Sequence, residues 1–127
     1  MYLLDTSVVL AFALNPKRLG PKSLDLIRDS SQVFVSSVSI AEVFVKQLLG
    51  KIKLQVPIGE VIAILSFKPL SFDVAMADEL ENLTGMVGYD PFDRMIAASA
   101  KASRIKLVTS DRKLLDLGFD WIMDSYD

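Results

Sequence analysis

The chain has 127 residues with a net charge of −2, and it contains neither cysteine nor histidine. That composition excludes disulfides, thiolate catalysis, thiolate metal sites and paired-imidazole acid–base chemistry. The slight negative charge excludes a long-range pull on nucleic acid, so any bound strand has to be held by local basic groups.

The length fits one domain spanning residues 1–127. Apolar residues make up 51% of the chain and the mean hydropathy is +0.37. This is rich for a soluble chain of this size, so we expect apolar surface covered by a partner, in a homodimer or a stable complex. No apolar run approaches the roughly 18 residues of a membrane helix. The opening Met1-Tyr2-Leu3-Leu4 meets Asp5 without a basic leader, so no membrane association and a cytoplasmic location are expected.

In chain order, Tyr2-Leu3-Leu4 reads as a strand ending at the polar triplet Asp5-Thr6-Ser7, and Val8 to Leu14 continues as an apolar helix. Asn15-Pro16-Lys17-Arg18 and Gly20-Pro21 punctuate a loop before helical spacing at Ser23 to Arg28. Val33-Phe34-Val35 is a second buried strand. Ser39 followed by Glu42 has the pattern of a capping box opening a helix, and Gly50 supplies its stop. That helix carries apolar residues on several sides, including Val45, Leu48 and Leu49, which marks it as a candidate oligomer surface. Phe12 and Leu14 are candidates for a groove that receives a partner.

Pro57 to Phe67 predicts a helix, Leu70 the centre of a very short strand, and Phe72 to Leu83 another helix before the turn at Gly85 to Gly88. Asp90-Pro91-Phe92-Asp93 opens the most regular helix, with Phe92, Met95, Ile96, Ser99 and Ala100 along one face. Ile105 to Thr109 is a strand, Ser110 or Asp111 caps a short helix through Leu117, and Trp121-Ile122-Met123 is the last strand or edge segment. The alternation specifies an α/β fold with a central parallel sheet and helices on both faces.

Asp5, Glu42, Asp93 and Asp111 each follow a predicted strand or open a predicted helix. In a parallel sheet such positions lie along one edge, where ligands bind. Each acid alone also fits a helix cap, since a carboxylate in the first turn complements the macrodipole. As a set they would repel by roughly 4 kcal/mol per pair at about 4 Å and an effective dielectric of about 20, so a shared pocket calls for a cation. All-oxygen ligands point to Mg²⁺, with Mn²⁺ as a substitute. Lys46, Arg94 and Arg112, close in sequence to three of the acids, are candidate contacts for the phosphates of any bound strand. The alternative for Lys46 is a same-helix pair with Glu42, and for the arginines simple solvation.

Asp5-Thr6-Ser7, Ser39-Ile40-Ala41-Glu42, the run from Asp90 through Ala98, and Thr109-Ser110-Asp111 resemble, in order and spacing, the motifs of PIN-domain ribonucleases, particularly VapC-type toxins. The resemblance implies an acidic quartet at Asp5, Glu42, Asp93 and Asp111, with Asp90 as an accessory acid and Thr6 and Thr109 as polar groups supporting it. It implies a Mg²⁺-dependent endoribonuclease leaving a 5′-phosphate and a 3′-hydroxyl, held inactive by a small antitoxin. Val87-Gly88-Tyr89 departs from the basic or histidine-containing stretch of many relatives, so their RNA contacts are not carried over. The alternatives are an RNA-processing PIN nuclease outside any toxin–antitoxin pair, a PIN domain that binds without cutting, and a receiver-like phosphoacceptor module. The last lacks the adjacent acids it would need after the first strand.

Overall fold

The apolar run at the start of the chain forms strand β1, Tyr2–Leu4, and the chain turns at Asp5 directly into helix α1, Thr6–Leu14. The structure, a computed structural model, describes residues 1–29 and 31–127. After a 3₁₀ turn at Pro16–Arg18 come α2, Pro21–Asp29, and β2, Val33–Ser36. Next are α3, Ser37–Leu48; α4, Ile58–Ile64; and β3, Lys68–Leu70. Helix α5, Val74–Glu79, runs on into 3₁₀ turns and leads to α6, Pro91–Ser103. The remaining elements are β4, Lys106–Thr109; α7, Arg112–Leu115; and β5, Ile122–Asp124.

All pairings are parallel and the strand order is β3-β2-β1-β4-β5. The chain steps outward from β1 to β3, then crosses to the other side of β1 for β4. Strand order therefore reverses between β1 and β4, which opens a crevice at their C-terminal ends. Alternation along each strand separates two cores. Leu4, Val33, Val35 and Val108 face Val8, Val9, Ile27, Ile58 and Ile62, whereas Leu3 and Leu107 face Ile96, Ala97, Ala100 and Leu114. The helices cover both faces because the strands are apolar on both.

The anticipated capping box at Ser39 does not form. Helix α3 starts two residues earlier, and the Ser36 hydroxyl accepts the Val38 N–H at 3.0 Å. Ser36 ends β2 in extended backbone, which is the conformation a cap requires, so the earlier serine takes the role. Gly50 does end the helix. With φ of +73° it allows its own N–H to reach the Gln47 carbonyl at 3.0 Å and the Lys51 N–H to reach that of Lys46 at 2.8 Å. This paired closure turns the chain back toward the crevice. Phe12, anticipated in a partner groove, instead packs on the core, with its ring 5.8 Å from that of Phe67. Replacing Ser36 by alanine should lower unfolding stability by about 0.5–2 kcal/mol, read from the urea midpoint at unchanged slope.

Candidate active site

Asp5 leaves β1 at the point of strand-order reversal, and its N–H continues the ladder to the Val108 carbonyl at 2.9 Å. The register Leu4↔Val108 thus carries Asp5 alongside the end of β4. Its carboxylate is 4% exposed and is held by two neutral donors. Oδ1 accepts the Thr6 N–H at 2.8 Å and Oδ2 accepts the Thr109 hydroxyl at 2.7 Å. Thr109 also accepts the Asp111 N–H at 3.0 Å, so one hydroxyl links the first and last acids of the sequence.

Glu42 points inward from α3 and is 3% exposed. The Thr6 hydroxyl lies 2.6 Å from Glu42 Oε1 and 2.9 Å from Ser39 Oγ. A hydroxyl has one proton, and the carboxylate can only accept, so Thr6 donates to Glu42 and receives from Ser39. Lys46, one turn later, reaches Glu42 Oε2 at 2.5 Å. This same-helix pair raises the Lys46 pKa, chiefly through the hydrogen bond.

Asp93 projects from the first turn of α6, which is capped by Asp90 through its Oδ1 on the Phe92 N–H at 2.8 Å. Among the described residues the Asp93 carboxylate has no hydrogen bond or ion pair. Asp111 caps α7 through the Lys113 N–H at 2.9 Å.

Asp5, Glu42, Asp93 and Asp111 line one crevice of about 240 Å³, together with Thr6, Ser7, Leu10, Lys46, Ile52 and Ser110. Among the described residues, no three carboxylates stand close enough to grip a common ion. Asp5, Glu42 and Asp111 are each held by hydrogen bonds to protein donors. The donor set is nevertheless that of a hard divalent cation: carboxylate oxygens from four different elements facing a shared space, without nitrogen or sulfur competitors.

Burial pushes the Asp5 carboxyl up to about 6, against the lowering effect of Thr109 and Thr6, with Glu42 and Asp111 adding to the rise. Burial also pushes Asp93 up to about 7, reinforced by the negative charges of Asp5, Glu42, Asp90 and Asp111. Acids that feel one another this strongly share one electrostatic site.

Of the three candidate phosphate contacts, Lys46 takes its alternative, the same-helix pair with Glu42. Only Lys46 lines the crevice, and it is already paired. Arg112 turns away to form an ion pair with Asp124, its guanidinium 5.7 Å from the centre of the Tyr126 ring. Arg94 is half-buried and contributes nothing to the crevice wall, its Nε lacking a hydrogen-bond partner. Asp90 is exposed and acts as a cap outside the crevice lining. The sequence did not mark Leu10 and Ile52 as wall residues. Ile52 arrives there because the Gly50 closure folds the chain back, a consequence readable from the glycine only once α3 is in place.

A parallel sheet with an acidic crevice at its switch point defines an open α/β protein whose ligand position, at the C-terminal ends of the strands, is lined by acids. The sequence profile of the family described as "PIN domain" matches residues 2–120, and the chain belongs to the PIN-domain family. No curated protein matches the chain significantly in sequence. Among solved structures, the chain is similar in fold to three assemblies. One is a toxin–antitoxin complex from Klebsiella pneumoniae (TM-score 0.70, 18% identity, covering 100% of this chain and 99% of that one). Another is DNA-bound VapBC from Salmonella typhimurium (TM-score 0.69, 20% identity, 97% and 96% covered). The third is VapBC2 from Rickettsia felis bound to a promoter DNA fragment (TM-score 0.67, 21% identity, 97% and 96% covered).

The pKa shifts fix a pH dependence. Asp5 and Asp93 rise from an ordinary 3.8 to about 6 and about 7, so across that window the folded chain binds more protons than the unfolded chain. Their contribution to stability therefore falls as pH rises through it. In chelator, the melting temperature of wild type minus that of Asp93→Asn should decline between pH 4 and pH 7.5. A flat difference would show that Asp93 is not held in an acidic field.

Proposed function

We propose that the chain is a divalent-metal-dependent endoribonuclease and the toxin of a toxin–antitoxin pair. The observation that carries this reading is the crevice itself. Four acids from distant parts of the sequence face one space at the sheet's switch point.

Asp5, Glu42, Asp93 and Asp111 would hold Mg²⁺, with Mn²⁺ able to replace it. The bound ion would supply charge stabilisation for a phosphodiester oxygen and lower the pKa of an attacking water. The chain's own groups set the frame for that chemistry. Thr109 and the Thr6 N–H fix both Asp5 oxygens, and the Thr6 hydroxyl fixes Glu42 Oε1. Asp93, without such a tether, is the acid freest to turn toward an ion or take a proton. Leu10 and Ile52 limit water in the crevice, which strengthens every charge interaction there.

The partner reading draws on the same structural neighbours, which are toxin–antitoxin and VapBC assemblies. Leu14 and Ile64, 64% and 74% exposed, lie in an apolar groove of about 220 Å³ that also includes Ala13, Val56, Val61 and Leu65. We infer that an antitoxin segment covers this groove and directs a basic side chain to the acids. Val45, Leu48 and Leu49 on α3 are exposed as well and suit a homodimer contact.

The test is incubation of purified protein with tRNA and rRNA fragments in Mg²⁺ or Mn²⁺, and then in chelator. Cleavage should need the ion and disappear in Asp5→Asn and Asp93→Asn. Thr109→Val should lose about ten- to a hundredfold through misorientation of Asp5. Cleavage that persists unchanged in the Asp5→Asn or Asp93→Asn protein would refute the assignment.

A further inference from the structure

Beside the acidic crevice lies a second, smaller cavity of about 50 Å³, walled by Ser7, Val8, Ala11, Arg18, Leu19, Ser110, Ser125 and Tyr126. It shares Ser7 and Ser110 with the crevice, and their hydroxyls stand 3.0 Å apart on the partition. The wall is tightly built. A Cβ on Gly20 would lie 2.1 Å from the Tyr126 carbonyl oxygen, so only glycine lets the chain after β5 seat there. The Gly20 N–H binds the Ser125 carbonyl at 2.9 Å and locks that seat.

Two features of this cavity are unexplained by folding. Ser125 is 0% exposed, yet its hydroxyl has no hydrogen-bond partner among the described residues. A buried unsatisfied hydroxyl costs free energy, and native chains retain few of them without a use. Arg18 is exposed on the 3₁₀ turn and, among the described residues, forms no ion pair. Asp124, next to Ser125 in the chain, is engaged elsewhere: it binds Arg112 through Oδ2 and caps the Tyr126 N–H through Oδ1. Arg18 and the hydroxyl-bearing Ser7, Ser110, Ser125 and Tyr126 line a space that accommodates a few water molecules or a single tetrahedral oxyanion, too small for a base.

We propose that this cavity is a phosphate subsite, which holds a backbone phosphate of the RNA strand next to the one at the acids, with Arg18 and Ser125 as its positioning residues. The inference rests on the nuclease reading and adds to it the basic contact that Lys46, Arg94 and Arg112 do not provide. It also explains how an acidic crevice keeps a polyanion in register: the flanking phosphate is held one partition away from the repelling carboxylates.

The experiment uses the full chain and a fluorescein-labelled 12-nucleotide oligouridylate, with binding read by anisotropy in Ca²⁺ and cleavage in Mn²⁺. Arg18→Ala should weaken binding about tenfold and lower the slope of log affinity against log salt by about 0.7, the loss of one phosphate contact on a single strand. Arg18→Lys should restore the slope. KM should rise in Arg18→Ala with kcat nearly unchanged, as expected for a contact made equally in ground and transition states. Ser125→Ala should weaken binding without lowering the melting temperature, because it removes a hydroxyl that has no partner in the fold.

Unchanged affinity and salt slope in Arg18→Ala, alongside metal-dependent cleavage by wild type, would overturn the subsite and leave the nuclease standing. Inorganic phosphate is the second probe, followed by ³¹P line broadening. Phosphate binding that needs Arg18 while RNA affinity does not would make the cavity a free-phosphate site and overturn the proposal. Wild type that neither binds nor cuts RNA would overturn both readings.

Discussion

Asp5 is withdrawn from water at the place where the sheet reverses its order, and its two direct hydrogen bonds come from neutral donors, the Thr6 N–H and the Thr109 hydroxyl. A buried carboxylate in that position is costly, and neutral hydrogen bonds offset only part of the cost. Its pKa therefore climbs rather than falls. The rest of the crevice follows from this imbalance. Thr109 must be polar and must sit at the end of β4, beside Asp5, which requires the β1–β4 register. Asp93, facing the same field without a donor of its own, rises further. Such a centre is poorly balanced in isolation, and under the proposed function an entering cation would balance it.

The sheet and the position of the acids were legible in the sequence because both rest on local patterns. Short apolar runs ending in polar residues gave β1, β2 and β4 nearly to the residue. Asp90-Pro91 marked the start of α6 because proline at the first helical position removes one N–H that would lack a partner and the aspartate before it accepts another. Ser39 misled for an instructive reason. Ser36, Ser37 and Ser39 all have cap chemistry, and the choice fell to the residue that β2 leaves in extended backbone. The hydroxyl of Ser39 was left to face Thr6 across 2.9 Å, a contact between residues 33 apart that no local pattern encodes.

The basic residues were the least legible part. Adjacency to an acid in sequence suggested a shared site for Arg94 and Arg112, but consecutive residues on a helix point about 100° apart, so neighbours of an inward acid turn elsewhere. Arg112 finds Asp124, which is brought near only by the β4–β5 pairing. Arg18, in a segment that read as loop punctuation, reaches the partition beside the acids because the chain after β5 closes against Gly20. Long-range topology decides these positions.

Under the proposed function, Lys46 bears on both catalysis and its control. Its ammonium group lies on Glu42, so any entering cation meets a carboxylate that is already compensated. Under the proposed function, a divalent ion would draw the acids toward itself and displace a single tethered charge. A basic side chain from a partner brings one charge to the same field, finds Asp5 and Asp93 without formal counterions, and needs no movement of Lys46. Under the proposed function the ion and the inhibitor are thus alternative solutions to the same excess of negative charge. The inhibitor gains most where the carboxylates are farthest from neutral partners, which places its charge nearer Asp93 than Glu42.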